Sequence, residues 1–458
     1  MENIHLSYYT IPVKLEDEEN KYLLVHGYTG AIDIVDGSIW EELKNYSSKS
    51  TLSSKVTQLL QNRGYLTTKS KDEEIEYVSK LANLFHQAQS KLHKSFGFIV
   101  SYDCNFRCPY CFENEISQHG AHWSKRAFTK ELVDKVYDAM FQIEPRQELH
   151  FKQILLYGGE PFLRDNKESV SYIIQRGHSL GYKFKAITNG YDLDYFKEFL
   201  SNEYFASVQI TLDGYREYHN KRRFHYEEGD SFDKIVHNVG ILLEGNVDVM
   251  IRINTDEYNF YDLNKLNDLF KDLGYLENSH FKIYSSVLQS YEINRNESGN
   301  IKYLSSMRVL NEKYKKEYHD NAYCQDFGIY KRFYSYLKNK SRCRLYSASC
   351  SSQYGSFLFD PKGDIYTCLE IVGKKEFVIG HYSGSEIQWT EVRKHWFERN
   401  VTKSAGCTKC KFALLCGGGC LAQVKHDVNG FSSETYCNSY KAIFPLSVNK
   451  AYRTYKYK

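Results

Sequence analysis

The sequence predicts an α/β protein centred on a partial (β/α)6 barrel, with a small α+β module before it and a cysteine-rich tail after it. Three patterns carry this prediction. Between residues 97 and 285, short apolar runs of strand length alternate with amphipathic stretches of helical period, the mark of parallel strands joined by crossover helices. The first 92 residues contain no cysteine and open with a hairpin pattern. Of the 12 cysteines, three fall within residues 104–111 and eight lie from 343 onward. The boundaries read from these shifts are 1–92, the barrel at 93–310, a helical linker at 311–342, the tail domain at 343–440 and an aromatic, basic end at 441–458.

In the first module, Tyr22-Leu23-Leu24-Val25-His26 and Ala31-Ile32-Asp33-Ile34-Val35 flank Gly27-Tyr28-Thr29-Gly30, two strands about a tight turn. Helical segments follow at 39–44 and 54–61, and Gly64-Tyr65-Leu66-Thr67 reads as a wing strand, so the module is winged-helix-like. Ser70-Lys71-Asp72-Glu73 has the capping-box pattern. Ile75, Val78, Leu81, Leu84 and Phe85 continue it at helical period, a helix bridging into the barrel. Barrel strands are predicted at 97–102, 152–157, 184–188, 207–212, 249–253 and 281–285, with a helix at 129–143 between the first two. In barrels of this kind the chemistry gathers at the C-terminal strand ends. Charged helices at 311–318 and 330–338 read as a linker, and Cys324 there as a core thiol.

At 458 residues, 42% hydrophobic and 26% charged, the chain can bury a sizeable core. A formal charge of +3 without a basic run gives no argument for a nucleic-acid partner. No stretch approaches the roughly 20 apolar residues of a membrane span. The start, Met1-Glu2-Asn3-Ile4-His5, lacks the pattern of a signal peptide, so the expected location is cytoplasmic. Thiols stay reduced there, and grouped cysteines point to metal rather than disulfides.

Cys104, Cys108 and Cys111 are spaced C-x3-C-x2-C directly after the apolar run 96–102. A strand end is rigid and the loop after it is free to wrap, so three thiolates can converge on one iron–sulfur cluster and leave the fourth iron of a cubane open. Structural zinc prefers four ligands in paired C-x2-C knuckles and fits this stretch poorly. After the second strand, Gly158-Gly159-Glu160-Pro161 lets backbone approach a ligand and offers a carboxylate to an ammonium group. Thr188-Asn189-Gly190 follows the third strand, and Thr211-Leu212-Asp213-Gly214 ends the fourth, ahead of His219 and Arg223. The fifth ends Ile253-Asn254-Thr255.

These motifs, in this order, resemble the radical SAM enzymes. The resemblance implies that Cys104, Cys108 and Cys111 hold a [4Fe–4S] cluster whose open iron binds S-adenosylmethionine (SAM). It implies that Gly158, Gly159 and Glu160 contact the methionine amino group and that Asn189, Thr211 and Asn254 line the rest of the site. Some sulfatase maturases bind the SAM carboxylate through an arginine in the helix after the fourth strand; here the stretch 232–238 offers His237 instead.

The tail reads C-x6-C-x12-G-x4-C, then C-x2-C-x5-C-x3-C-x16-C. It resembles the SPASM domain, which implies two auxiliary [4Fe–4S] clusters and three clusters in all. The first would use Cys343, Cys350, Cys368 and Cys420, and the second Cys407, Cys410, Cys416 and Cys437. Cys343 precedes the core motif at looser spacing. If it is not a ligand, one auxiliary iron is free for a substrate thiolate.

The resemblance implies a peptide maturase in which a 5′-deoxyadenosyl radical removes hydrogen from a ribosomally made precursor. The expected product is a thioether between a cysteine sulfur and a carbon. The precursor's leader would add as a strand to the first module, and a flavodoxin- or ferredoxin-type donor would supply electrons. Neither nucleic acid nor membrane is an expected partner. The alternatives are an anaerobic sulfatase maturase that makes formylglycine, a carbon–carbon crosslinking maturase and, from another class, a non-catalytic zinc protein. No general base emerges from the sequence.

Overall fold

The structure is a computed structural model that describes residues 4–47, 50–111, 113, 124–256, 258–259, 262–288, 328–434, 437 and 440–457. The chain opens with β1 (His5–Leu6), β2 (Thr10–Lys14), β3 (Lys21–His26) and β4 (Ile32–Asp36). Strands β2, β3 and β4 form an antiparallel sheet, and the β3–β4 hairpin pairs Val25 with Ile32. Helices α1 (Gly37–Lys44) and α2 (Ser54–Arg63) follow. Gly64 ends α2 at φ 95°, a left-handed conformation that glycine adopts without a Cβ penalty. β5 (Leu66–Thr67) pairs with β1 and not with the hairpin. α3 (Lys71–Ser90) begins with the anticipated capping box, in which the Ser70 hydroxyl accepts from the Glu73 N–H and the Glu73 carboxylate accepts from the Ser70 N–H.

Six parallel strands form the centre: β6 (Ser95–Ile99), β7 (Gln153–Tyr157), β8 (Lys183–Thr188), β9 (Phe205–Leu212), β10 (Asp248–Thr255) and β11 (Phe281–Val287). They stand side by side in chain order, as a partial barrel requires. Helices α4 (Lys130–Ile143), α5 (Lys167–Ser179), α6 (Arg216–Arg222), α7 (Phe232–Glu244) and α8 (Asp262–Asp272) lie between strands; a 3-10 helix at Leu193–Phe199 joins β8 to β9. Helix α4 places Val133, Val136, Tyr137 and Met140 in the core beside Phe98, Ile154 and Phe184, close to the predicted face.

The tail extends this same sheet. β12 (Ser356–Phe359) pairs parallel with the open side of β6, and Phe96 stacks on Phe357 at 5.9 Å between ring centres. β13 (Asp364–Tyr366), β14 (Gly380–His381) and β15 (Gln388–Trp389) continue it antiparallel, giving ten strands among the described residues.

The first module buries its sheet against the tail. Ile11, Val13, Leu23 and Val25 share one core with Ile329 and Phe333 of α9 (Ile329–Asn339) and with Phe444, Val448 and Ala451 of the final helix, α10 (Tyr440–Tyr457). The other side of the module has a core of its own, with Leu24, Val35, Trp40, Leu43, Leu60 and Tyr65, so the sheet is covered on one face from within and on the other by the tail. The helix expected at 330–338 is α9, and it too belongs to that core; the stretch 311–318 and Cys324 lie outside the described residues. No helix among the described residues is long and apolar enough to cross a membrane.

Candidate active site

A cavity of about 1180 Å³ opens inside the barrel. Gln209 and Thr211 come from β9, Met250, Arg252 and Asn254 from β10, and the consecutive run Lys282–Ser286 from β11. The period of two on β9 and β10 is what a pleated strand imposes on its inner face. Cys104, Cys108 and Cys111 also line it, as do Leu369 and Glu370 of the tail.

The three thiols sit in the loop after β6, as the sequence requires. Burial comes first among the causes that push all three up, Cys111 to about 12. Glu160 adds to the effect at Cys104, while the Arg223 guanidinium opposes it at Cys108. Among the described residues, no three His, Cys, Asp or Glu side chains stand close enough to share a single ion.

The glycine pair after β7 fits tightly against this loop. A Cβ on Gly158 would lie 2.3 Å from the Ser101 carbonyl oxygen, and one on Gly159 would lie 2.3 Å from that of Asp103. Only glycine permits this approach, and both glycines line the cavity. The Glu160 carboxylate is taken up within the fold. It accepts from the Thr188 hydroxyl at 2.6 Å and from the backbone N–H groups of Asn189 at 2.7 Å and Phe162 at 2.9 Å. Burial nevertheless pushes its carboxyl up to about 7. Asn189 lines the cavity, donates to Asn105 Oδ1 at 2.7 Å and stands 4.0 Å from Cys104 Sγ.

Asn254 reaches the site as part of a buried polar ring. Its Nδ2 donates to Asp213 Oδ1 at 3.2 Å and to the Tyr110 hydroxyl at 3.3 Å. Tyr110 donates to Asp213 Oδ2 and accepts from Arg223 at 3.0 Å. Arg223 lines the cavity, and its buried Nε has no hydrogen-bond partner among the described residues. His237 is exposed on α7, outside the cavity. His219 is fully buried between the Asp213 N–H and the Ser231 hydroxyl, and burial holds its imidazole neutral. Tyr110 lay inside the first cysteine motif and Arg223 near the fourth strand. Their ring could not be read from the sequence, because it joins segments far apart in the chain.

The tail cysteines fall into two neighbourhoods. Burial and then the neighbouring Cys420 push the Cys368 thiol well up, with Cys350 adding to it. Cys420 is likewise raised to about 12 by burial, with Glu370 and Cys350 adding to it. Cys416 is raised to about 12 by burial, with Cys407, Cys437 and Cys410 as its thiol neighbours. Cys343 packs against the first module. It is buried in the core shared by the first module and α10, its N–H donates to the Gly30 carbonyl at 2.7 Å, and Arg332 is the charge beside it.

Comparison with known proteins agrees with this geometry. Residues 98–260 match the radical SAM superfamily. A cysteine-type anaerobic sulfatase-maturating enzyme from Clostridium novyi is 24% identical over 376 residues, covering 78% of this chain and 96% of its own. The radical SAM cyclopropyl synthase TigE from Paramaledivibacter caminithermalis is 20% identical over 504 residues, covering 99% of this chain and 97% of its own. The solved structure of native anSMEcpe with bound AdoMet shares the fold, with a TM-score of 0.55 at 17% identity over 79% of this chain and 99% of that one. Three local thiols, a glycine cradle packed against their loop and a barrel cavity above them fit an iron–sulfur cluster with SAM, and residues 98–260 are a radical SAM domain homologous to that of the anaerobic sulfatase-maturating enzymes.

Proposed function

We propose that this chain modifies a precursor peptide, joining a cysteine sulfur to a carbon as a thioether. The observation that carries the reading is one cavity lined both by Cys104, Cys108 and Cys111 and by Leu369 and Glu370, which follow Cys368 in the chain. A substrate held there meets the first cysteine motif and the tail at once. When bound, the cluster and SAM supply a 5′-deoxyadenosyl radical that takes hydrogen from a carbon.

The chain's own part is to hold and orient. Gly158 and Gly159 offer backbone to the methionine amino group, and Glu160 stiffens that turn through Thr188 and Asn189. Asn189 and Thr211 border the nucleoside, and Asn254 with Tyr110 sets the position of Arg223. The free Nε of Arg223 suits the SAM carboxylate better than the exposed His237. The tail, in this reading, is a SPASM domain with two auxiliary clusters, one on Cys350, Cys368 and Cys420 and one on Cys407, Cys410, Cys416 and Cys437. The winged-helix-like first module takes the leader as an added strand, and a flavodoxin or ferredoxin reduces the clusters in the cytoplasm. The known structure of anSMEcpe with AdoMet and the Kp18Cys peptide supports a peptide substrate for this fold.

A second reading, formylglycine formation on a sulfatase, is favoured by the likeness to the Clostridium novyi enzyme along nearly its whole length. One experiment decides between them. Reduced, cluster-loaded protein is given SAM and a cysteine-containing peptide encoded beside its gene, and the product is read by mass spectrometry after thiol alkylation. Loss of two hydrogens with a thiol that no longer alkylates is the expected result. Loss of two hydrogens with thiols still free points to carbon–carbon coupling, and an untouched peptide beside a sulfatase peptide converted to the aldehyde overturns the thioether reading.

A further inference from the structure

The barrel wall carries a cation that the fold satisfies only in part. Arg252 lines the cavity, and its register on β10 sets it beside Thr211 of β9 and Tyr284 of β11, which line it too. Tyr284 is taken up within the wall, since its hydroxyl donates to Gln209 Oε1 at 2.7 Å. The Arg252 guanidinium is engaged far less. Among the described residues it makes one hydrogen bond, from Nη2 to the Ser286 hydroxyl at 3.3 Å, and its buried Nε has no partner. An arginine has five N–H donors in a rigid fork, so the wall uses a small part of what this one offers. The charges that line the cavity lean the same way. Arg223, Arg252, Lys282 and Lys331 stand against Glu113 and Glu370, and Glu370 already accepts from Gln423 at 3.3 Å. A cleft with that balance draws anions, and its low-dielectric walls strengthen the attraction.

We propose that Arg252 receives an acidic side chain of the precursor peptide in its guanidinium fork, and so selects the segment that is presented for modification. The proposal rests on the reading that the substrate is a peptide. A carboxylate meets the fork with both oxygens, which adds direction to charge; a lysine ammonium offers no such match. Ser286 holds one arm of the guanidinium and so fixes its orientation in the wall. The carboxylate of SAM has a different cation to meet. Arg223 is bonded to Tyr110 inside the first cysteine motif, whereas Arg252 makes no hydrogen bond to that loop among the described residues. Because Arg252 stands opposite Thr211, an acidic residue held there brings its neighbours in the peptide to the part of the wall that borders the nucleoside.

The test uses the full, cluster-loaded chain with SAM and the cysteine-containing peptide encoded beside its gene, and reads the rate of product formation by mass spectrometry. Each acidic residue of the peptide is replaced in turn by its amide. The expected result is that one of these peptides has a KM raised about tenfold or more with the wild-type protein. Arg252→Gln should raise the KM for the unaltered peptide by a similar factor, and the two changes together should do no more than either alone. Arg252→Lys, which keeps the charge and loses the fork, should recover part of the loss. Effects that multiply overturn the proposal. So does a peptide in which no amide replacement raises the KM, an outcome that needs no variant of the protein to fold. A tenfold fall in SAM affinity with Arg252→Gln, measured by calorimetry, assigns the fork to the SAM carboxylate and overturns it as well. Wild-type protein that leaves the peptide untouched overturns the peptide reading and the proposal together.

Discussion

The backbone N–H of Cys343 donates to the carbonyl oxygen of Gly30 at 2.7 Å, so the hairpin turn of the first module clamps the start of the cysteine-rich tail. Gly30 sits at φ 69°, and a Cβ there would lie 2.4 Å from the Cys343 carbonyl oxygen. Gly30→Ala should therefore lower stability by about 2–4 kcal/mol, combining left-handed strain with a backbone clash. Gly274 is the control. It has φ 71° with open space around its Cβ position, so Gly274→Ala should cost only the strain, about 1 kcal/mol. Denaturant unfolding of the two variants separates the terms.

Cys343→Ala should leave iron content unchanged, whereas Cys368→Ala should lose about four irons. Iron and sulfide analysis of anaerobically purified protein checks this. Equal loss from both variants would return Cys343 to the ligand set.

The Tyr110 hydroxyl is shared by Asp213, Arg223 and Asn254. Removing it in Tyr110→Phe leaves three buried polar groups short of a partner, a loss of about 1–3 kcal/mol in stability. If Arg223 binds the SAM carboxylate from this ring, SAM affinity should fall about tenfold, or about 1.4 kcal/mol. Calorimetric titration of SAM against wild type and variant measures it.

Asp360, bonded to the Tyr102 hydroxyl, provides a pH readout. Burial pushes its carboxyl up to about 6, although Tyr102 donates to it at 2.8 Å and the backbone N–H groups of Lys362 and Asp364 donate to its other oxygen. A carboxyl raised in the folded state binds its proton more tightly there than in the unfolded chain. Its stabilising contribution is present at low pH and is lost as pH rises through about 6. Between about pH 5 and 6 this term should remove about 1 kcal/mol. Asp360→Asn keeps an oxygen that accepts from the two backbone N–H groups and should remove that part of the slope, seen as the difference between the two unfolding midpoints against pH.

Phe444 is fully buried in contact with Phe333 and Phe412. Phe444→Ala should cost about 3–5 kcal/mol through the cavity it leaves. Because that core also holds Val13 and Val25, thermal unfolding should show the first module and the tail loosening together.

What the sequence determined by itself was whatever depends on near neighbours along the chain. The six central strands fall within a few residues of their expected places, because strand and helix periods are local. The capping box at Ser70 and Glu73 and the gathering of Cys104, Cys108 and Cys111 in one loop are local in the same sense. Only the tertiary structure decided which distant segments meet. The buried side of the β2–β4 sheet sent the first module onto the tail and α10, where the Gly30 carbonyl accepts from the Cys343 N–H. Glu160 turned into the fold because two backbone N–H groups and a hydroxyl needed a buried acceptor. Arg223 and Glu370 came to the cavity for the same kind of reason: β9, β10 and the cysteine loops converge there, and spacing along one chain carries no record of that convergence.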